Sequence, residues 1–323
     1  MTRAMTKTLL AATILVAAHG FAICEESPSR IVKLVVGAPA GGGIDIVARL
    51  IEPVMSQSLG QKIIVDNRPG ANQSIGAGFV AHSPPDGSTV LISTSGPVTN
   101  ALNAPVSYDA ATAFQPISRV MNSPFFLVVP EKSKLKSVAD LIAAGKDRTQ
   151  VIRYGHPGPG TATHLATELL NKMAGTNFVG IPYRGSAGQI QDTISGELQF
   201  GLLAAPDALS RRNDGGLRIL GVSDGTRSVL APDIATIAEQ GVPGYDVALW
   251  HGLFAPAQTP RPIIERLRSA LASAQKDEGV RARFLGLGME PVLDTPEEFA
   301  KIVRTQQEKD SALVKGLDLK TTQ

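Results

Sequence analysis

From Ile31 onward, short apolar runs rich in β-branched residues alternate with longer segments of helical periodicity. IVKLVVG (31–37) predicts a buried strand. IDIVARLIEPVMSQSLG (44–60) predicts an amphipathic helix with Ile46, Leu50, Val54 and Leu59 near one face and Gly60 as its stop. Further strands are predicted at 62–68, 90–94, 125–129, 151–155, 178–183, 198–203 and 217–222, with helices at 137–145, 161–174 and 186–195. Strands separated by helices imply βαβ units, mostly parallel sheets, and a site built from loops at the carboxyl ends of strands. After about residue 255 the pattern changes. A Pro-marked turn, APAQTPRP (255–262), leads into helices at 261–275, 278–287 and 296–315, and no strand is predicted to follow. LVVP (127–130) and LFAP (253–256) read as two crossings between one lobe and another.

The first residues break this pattern. Arg3 and Lys7 precede the apolar run LLAATILVAA (9–18), which gives way to the polar zone HGFAICEES. The run is about half the length of a membrane-spanning helix and has the layout of a secretory signal. Cleavage fits after Ala22 or Cys24, with the second preferred; Ile23 is a poor residue to precede a lipidated cysteine.

Composition sharpens the reading. The 323 residues carry 31 basic and 29 acidic side chains. Removing residues 1–24 deletes Arg3 and Lys7 and no acid, which leaves a formally neutral chain without the basic stripe of a nucleic-acid binder. The single Cys24 excludes an internal disulfide framework and a multi-cysteine metal site.

Candidate chemistry sits in loops between strands and helices. Ala38, Pro39, Ala40, Gly41, Gly42 and Gly43 precede the first helix, where glycine amides and the helix dipole can make an anion site. Asp45 can cap that helix or accept amides from its own loop. A tight turn without ligand fits the same pattern. The second such loop runs from Tyr154 to His164: Gly158 and Gly160 expose backbone donors, and Thr161 or Thr163 can cap. His156 is placed in the loop as the ligand contact, and His164 in the first helical turn as a buried structural histidine. Thr94 with Ser95, and Arg184, Gly185 and Ser186, occupy equivalent positions after other strands. Arg184 suits either a ligand carboxylate or a surface ion pair.

Enzyme patterns fail. No dinucleotide fingerprint, P-loop, G-x-S-x-G elbow or histidine pair at metal-ligand spacing is present. A secreted hydrolase or isomerase whose acid and base meet only in the fold remains the enzymatic alternative.

The segments VVGAPAGGGIDIVARL (35–50), VDNRPGA (65–71), PPDGSTVLISTS (84–95), GPGTATHL (158–165), VPGY (242–245) and WHGLFAP (250–256) occur in this order after an export signal. The set resembles the Bordetella uptake gene family, extracytoplasmic solute receptors of tripartite tricarboxylate transporters. The resemblance runs from about Arg30 into the helical tail. It implies a two-lobed α/β periplasmic binding protein (type II-like), with a signal peptide at 1–24 and lobe 1 at 25–126. Lobe 2 follows at 127–253, and 254–323 returns to lobe 1. It also implies a monomer without cofactor or metal that closes on a small organic acid and presents it to membrane transporter subunits. A ligand sensor signalling to a membrane partner is the alternative. In the family a ligand carboxylate is held largely by backbone amides. Matched residue by residue, those are Pro39 through Gly43, Thr94, Ser95, Gly158 through Thr163, Gly185 and Ser186.

Departures bear on the ligand. The family's usual aromatic before Pro-Ala-Gly-Gly is Ala38 here, and a position commonly polar or acidic falls in the turn Leu203-Ala204-Ala205-Pro206. An ammonium buried there would lack a counter-charge before Asp207. The expected ligand is therefore a mono- or dicarboxylate without an amine, such as an aromatic or a dicarboxylic acid, with His156 or Arg184 at its far end. Trp250 and His251 line the cleft or belong to the core.

Overall fold

The computed structural model describes residues 31–99, 105–158, 161–183 and 186–314. The expected signal peptide, Gly160, Arg184 and Gly185 lie outside the described residues.

The first lobe begins with β1 (Ile31–Val36), α1 (Gly43–Leu59), β2 (Lys62–Asn67), a 3-10 turn (Ala71–Gln73), α2 (Ser74–Ala81), β3 (Thr89–Ser93) and α3 (Ser95–Thr99). The long β4 (Phe114–Pro130) carries the chain into the second lobe: α4 (Val138–Lys146), β5 (Arg153–His156), α5 (Ala162–Ala174), β6 (Val179–Pro182), α6 (Ser186–Ser195), β7 (Phe200–Ala204), α7 (Ala205–Asn213) and β8 (Leu217–Val222). Then β9 (Ala248–Pro256) returns, followed by α8 (Arg261–Lys276), α9 (Glu278–Gly286), β10 (Glu290–Pro291) and α10 (Pro296–Val314).

Two sheets share β4. On one side β1 pairs in parallel with β2 and β3, and β3 runs antiparallel to β9. β9 pairs with β4 from Phe114↔Pro256 to Pro124↔Ala248. From Phe125 the partners of β4 become β7 and β8, and β5 joins β6 and β7 in parallel. This is the expected two-lobed α/β fold. The exchange of partners falls between Pro124 and Phe125, so LVVP lies inside the second sheet and LFAP inside the first.

The strand ends aim at each other. Ser93 at the end of β3 is opposite Gly252, itself opposite Arg119, whereas Ala204 at the end of β7 is opposite Phe125. Six residues of β4 separate these levels, about 20 Å at 3.3 Å per residue. Loops following the parallel strands of both lobes therefore face one interlobe space.

Alternation along β1 explains its two packed faces. Val32, Leu34 and Val36 pack with Val47, Ile51 and Met55 of α1 and Ile264, Leu267 and Leu271 of α8, while Val35 joins Leu91, Trp250 and Phe254 in a cluster with Phe299 of α10. Each such side chain contributes about 1.5–3 kcal/mol by leaving water. The buried face of α1 is Ile44, Val47, Ala48, Ile51, Met55 and Leu59. Of the residues expected there only Leu59 is buried, and Ile46 is exposed, because α8 meets the helix about one position round from the expected stripe. Gly60 does end the helix, at φ 64°. β4 starts eleven residues before the expected strand, its first half interrupted by Pro116 and by register shifts at Pro116/Ser118 and Arg119/Met121. The short β10 corrects the expectation that no strand follows residue 255.

Candidate functional site

The glycine loop after β1 is held from below. Asp45, 2 % exposed, accepts from the Gly41 amide at 2.8 Å and from Arg49 Nε at 2.9 Å through one oxygen, and from Asn67 Nδ2 at 2.9 Å through the other. Asn67 Nδ2 also donates to the Ala38 carbonyl at 3.0 Å. Burial alone would raise the Asp45 pKa, but the hydrogen bonds from Arg49, Gly41 and Asn67 outweigh it and hold the carboxyl at about 2. The carboxylate is thus engaged by its own loop and neighbours. Gly41 needs φ 82°, and the Gly42 amide turns back to the Pro39 carbonyl at 3.2 Å. Gly42 is the N-cap of α1 with no side-chain cap, which leaves the first-turn amides from Gly43 onward facing the loop mouth. Pro39, Ala40, Gly41 and Gly43 are exposed; Ala38 is half-buried against the core.

Beside it runs a segment the sequence reading did not single out. Ala71, Asn72 and Gln73 all have left-handed backbones, with φ 45°, 49° and 71°. Three consecutive non-glycine residues there are costly, and such strain gathers at binding sites. Gln73 Nε2 donates to Thr94 Oγ1 at 3.2 Å, while Gln73 Oε1 and Ser93 Oγ are buried with no partner among the described residues. Gly37 is packed so closely under this segment that a Cβ would meet Gln73 Cβ at 2.5 Å. The available signal was Pro69-Gly70, which announces a turn but not a left-handed run. Thr94 and Ser95 are half-buried at the end of β3, where α3 begins.

In the second lobe His156 is the last residue of β5, not part of the loop. It is 3 % exposed, accepts from the Gly158 amide at 3.2 Å through Nδ1, and stacks on His164 with ring centroids 4.3 Å apart. Its ring thus belongs to the packing beneath the loop. His164 is half-buried, and burial followed by the neighbouring His156 lowers its pKa. Thr161 stands at the N-cap of α5, but its hydroxyl donates back to the Gly158 carbonyl at 2.7 Å, and Thr163 Oγ1 is buried without a partner among the described residues. Ser186 opens α6 and is exposed. Ala204 is the exposed N-cap of α7, again without a side-chain cap.

The caps form a pattern. α1, α5 and α7 start at strand ends facing the interlobe space, and none has a side-chain cap. Elsewhere, α4 carries a Ser137–Asp140 capping box, Asp277 caps α9, and Thr295 with Glu298 caps α10. α2, with Gln73 at its N-cap, and α8 also lack side-chain caps; Pro206 in the first turn of α7 and Pro262 in that of α8 each remove one N–H to satisfy. Open helix N-termini from two lobes are suited to a shared anionic ligand.

Trp250 is core, 3 % exposed and edge-on to Phe299 at 5.3 Å. His251 is also buried, which lowers its pKa to about 4. Beneath α10, Asn122, Asp224, Asp246, Trp250, Glu290 and Lys301 border a hollow of about 620 Å³. Among the described residues no three side chains are placed to hold a metal ion, and no helix is long and apolar enough to cross a membrane.

The family described as "Tripartite tricarboxylate transporter family receptor" matches residues 47–319. The chain is 33% identical over 292 residues to the UPF0065 protein of the tcbD-tcbE intergenic region of Pseudomonas sp. strain P51, covering 90% of this chain and 87% of that one. It is 32% identical over 300 residues to BugT of Bordetella pertussis, covering 91% and 92%. Among solved structures, Rhodopseudomonas palustris Rpa4515 with adipate shares 33% identity at TM-score 0.67, covering 90% of this chain and 98% of that one. MatC of the same organism with bound malate shares 28% at 0.66, covering 89% and 99%. A ligand-free TctC solute-binding protein from Polaromonas shares 25% at 0.83, covering 90% and 100%. With the two-lobed fold and the loop geometry, these matches show that the chain belongs to the tripartite tricarboxylate transporter receptor family, periplasmic solute-binding receptors rather than enzymes.

Proposed function

We propose that the chain is an exported, monomeric receptor that binds one small organic carboxylate between its lobes and delivers it to a tripartite tricarboxylate transporter. We place the lobe boundaries within β4 near Pro124 and again near Ala248, where the pairing of β4 with β9 stops. The observation that carries the reading is the set of uncapped helix N-termini, α1 from one lobe and α5 and α7 from the other, at strand ends that face each other. Gly43, Thr94, Ser95, Thr163 and Ser186 supply amides or hydroxyls, and Ser93 joins them through its unpartnered hydroxyl, while Gly42 and Gly158, whose amides turn back to Pro39 and His156, shape the two loops. Arg184 and Gly185 complete the set on the strength of the family resemblance. Asp45 holds the loop instead of touching ligand, and His156 supports the second loop from beneath.

An acid without an amine fits best. The carboxylate of Asp45, the acid nearest the glycine loop, already accepts three hydrogen bonds, so a ligand ammonium finds no free counter-charge there. Relatives with adipate and with malate are consistent with this class. The closer overlay on the ligand-free Polaromonas protein, despite its lower identity, supports an open setting of the lobes that closes on ligand.

The test is a thermal-shift panel of mono- and dicarboxylates, adipate and malate included, on protein refolded to remove co-purified ligand. A ligand at a hundred times its Kd adds about 2.7 kcal/mol of stability. At least one acid is expected to raise the midpoint; no response across the panel contradicts the proposal.

A further inference from the structure

A loop suited to anions rests here on a buried anion. Asp45 lies in the first turn of α1, the helix whose open N-terminus favours negative charge, and left unbalanced it would repel a ligand carboxylate at the loop mouth. Arg49, one turn further along α1, donates from Nε to Asp45 at 2.9 Å and from Nη2 to Asn67 Oδ1 at 3.2 Å. Asn67, at the end of β2, bonds both Asp45 and the Ala38 carbonyl. The guanidinium thus spans two partners from two elements, a geometry that a lysine ammonium on a single point cannot reproduce.

We infer that Arg49 is a positioning residue for anion binding: with Asn67 it neutralises and aligns Asp45, so that the clamp on Gly41 fixes the glycine loop without placing a net negative charge beneath Gly42 and Gly43. This rests on the reading of that loop as the carboxylate site. The Arg49 side chain is 53% exposed and does not take part in the core, so its replacement leaves the fold standing. The Gly41 amide is held by Asp45 and the Gly42 amide by the Pro39 carbonyl, so the donors offered to ligand are those of the first helical turn from Gly43 onward.

The experiment compares wild type, Arg49→Gln, Arg49→Lys and the double variant Asp45→Asn/Arg49→Gln by isothermal titration with adipate at two NaCl concentrations. Deuterium uptake of the loop is followed in parallel without any ligand. Arg49→Gln is expected to weaken adipate binding about tenfold, the Coulomb cost of one uncompensated charge near the site, with the deficit shrinking as NaCl rises. Arg49→Lys falls in between. The double variant, with no charge left to balance, recovers most of the affinity, which a merely structural role for Arg49 would not produce. Wild-type affinity in Arg49→Gln, or a double variant no better than that single one, overturns the inference. If wild type binds neither adipate nor any other acid of the panel, the receptor reading is what fails. Loop exchange then decides the inference alone: faster uptake across residues 38–43 in Arg49→Gln supports the clamp, and unchanged uptake overturns it.

Discussion

Replacing Asp224 by Asn is expected to stabilise the protein at pH 8 and to leave it unchanged near pH 4. Asp224 follows β8 at the junction of the lobes, where Asn122 Nδ2 of β4 donates to it and Asp246, just before β9, stands beside it. Burial raises its pKa most, the charge of Asp246 and a hydrogen bond shared with it add to that, and Glu290 adds a little, against a lowering by Asn122; the result is about 7. Because the folded-state pKa lies above the unfolded one, the native protein keeps a proton that the unfolded chain releases between about pH 4 and 7. Stability therefore falls as pH rises through that window and is level on either side. A shift from 3.8 to about 7 corresponds to roughly 4 kcal/mol if fully retained. Asp224 is only half-buried and Asp246 is exposed, so solvent screening reduces this to about 1–2 kcal/mol. At about 2–4 °C per kcal/mol for a chain of this size, Asp224→Asn raises the midpoint at pH 8 by roughly 2–8 °C. Circular-dichroism melts at pH 4 and 8 at matched ionic strength measure it. An equal gain at both pH values, or a loss at pH 8, refutes the reasoning that Asp224 keeps its proton in the folded state.

Two other outcomes follow from single side chains. Asp45, with its pKa lowered to about 2, contributes about 2 kcal/mol that is present above pH 4 and lost as pH falls from 4 to 2, so Asp45→Ala flattens the acid limb of a stability–pH curve; an unchanged limb contradicts the clamp. A Cβ on Gly252 would sit 2.2 Å from Phe299 Cζ, so Gly252→Ala displaces α10 from the β9 floor at a cost of about 1–3 kcal/mol, read as a lower melting midpoint and earlier proteolysis of the tail.

What the sequence disclosed depends on how each element is stabilised. β3 is buried throughout and β1 from Leu34 on, so both leave short apolar runs, and Gly60 marks its helix end because the left-handed cap favours glycine. The first half of β4 was hidden because its polar residues are satisfied by distant partners: Arg119 by Asp294 at 2.8 Å, Ser118 by the Asp294 amide, and Asn122 by Asp224. No local pattern reports such pairings. The glycine loops were legible as backbone devices, since glycine runs at strand-to-helix junctions carry the signal locally. His156 was misplaced for the opposite reason: its burial comes from His164 stacking over it and from Gly180 of the neighbouring β6, a contact set by sheet register. The left-handed run at Ala71–Gln73 and the engagement of Asp45 by Asn67 equally needed the fold.

The most direct test of the central claim is an NMR titration of glycine-amide-labelled protein with each acid of the carboxylate panel. The account predicts that at least one acid moves the Gly42 and Gly43 amide resonances together with Gly158, as a ligand held between lobes requires, and leaves Gly60 at the far end of α1 in place. A panel in which no acid moves these amides, or in which an acid binds and shifts only resonances elsewhere, contradicts it.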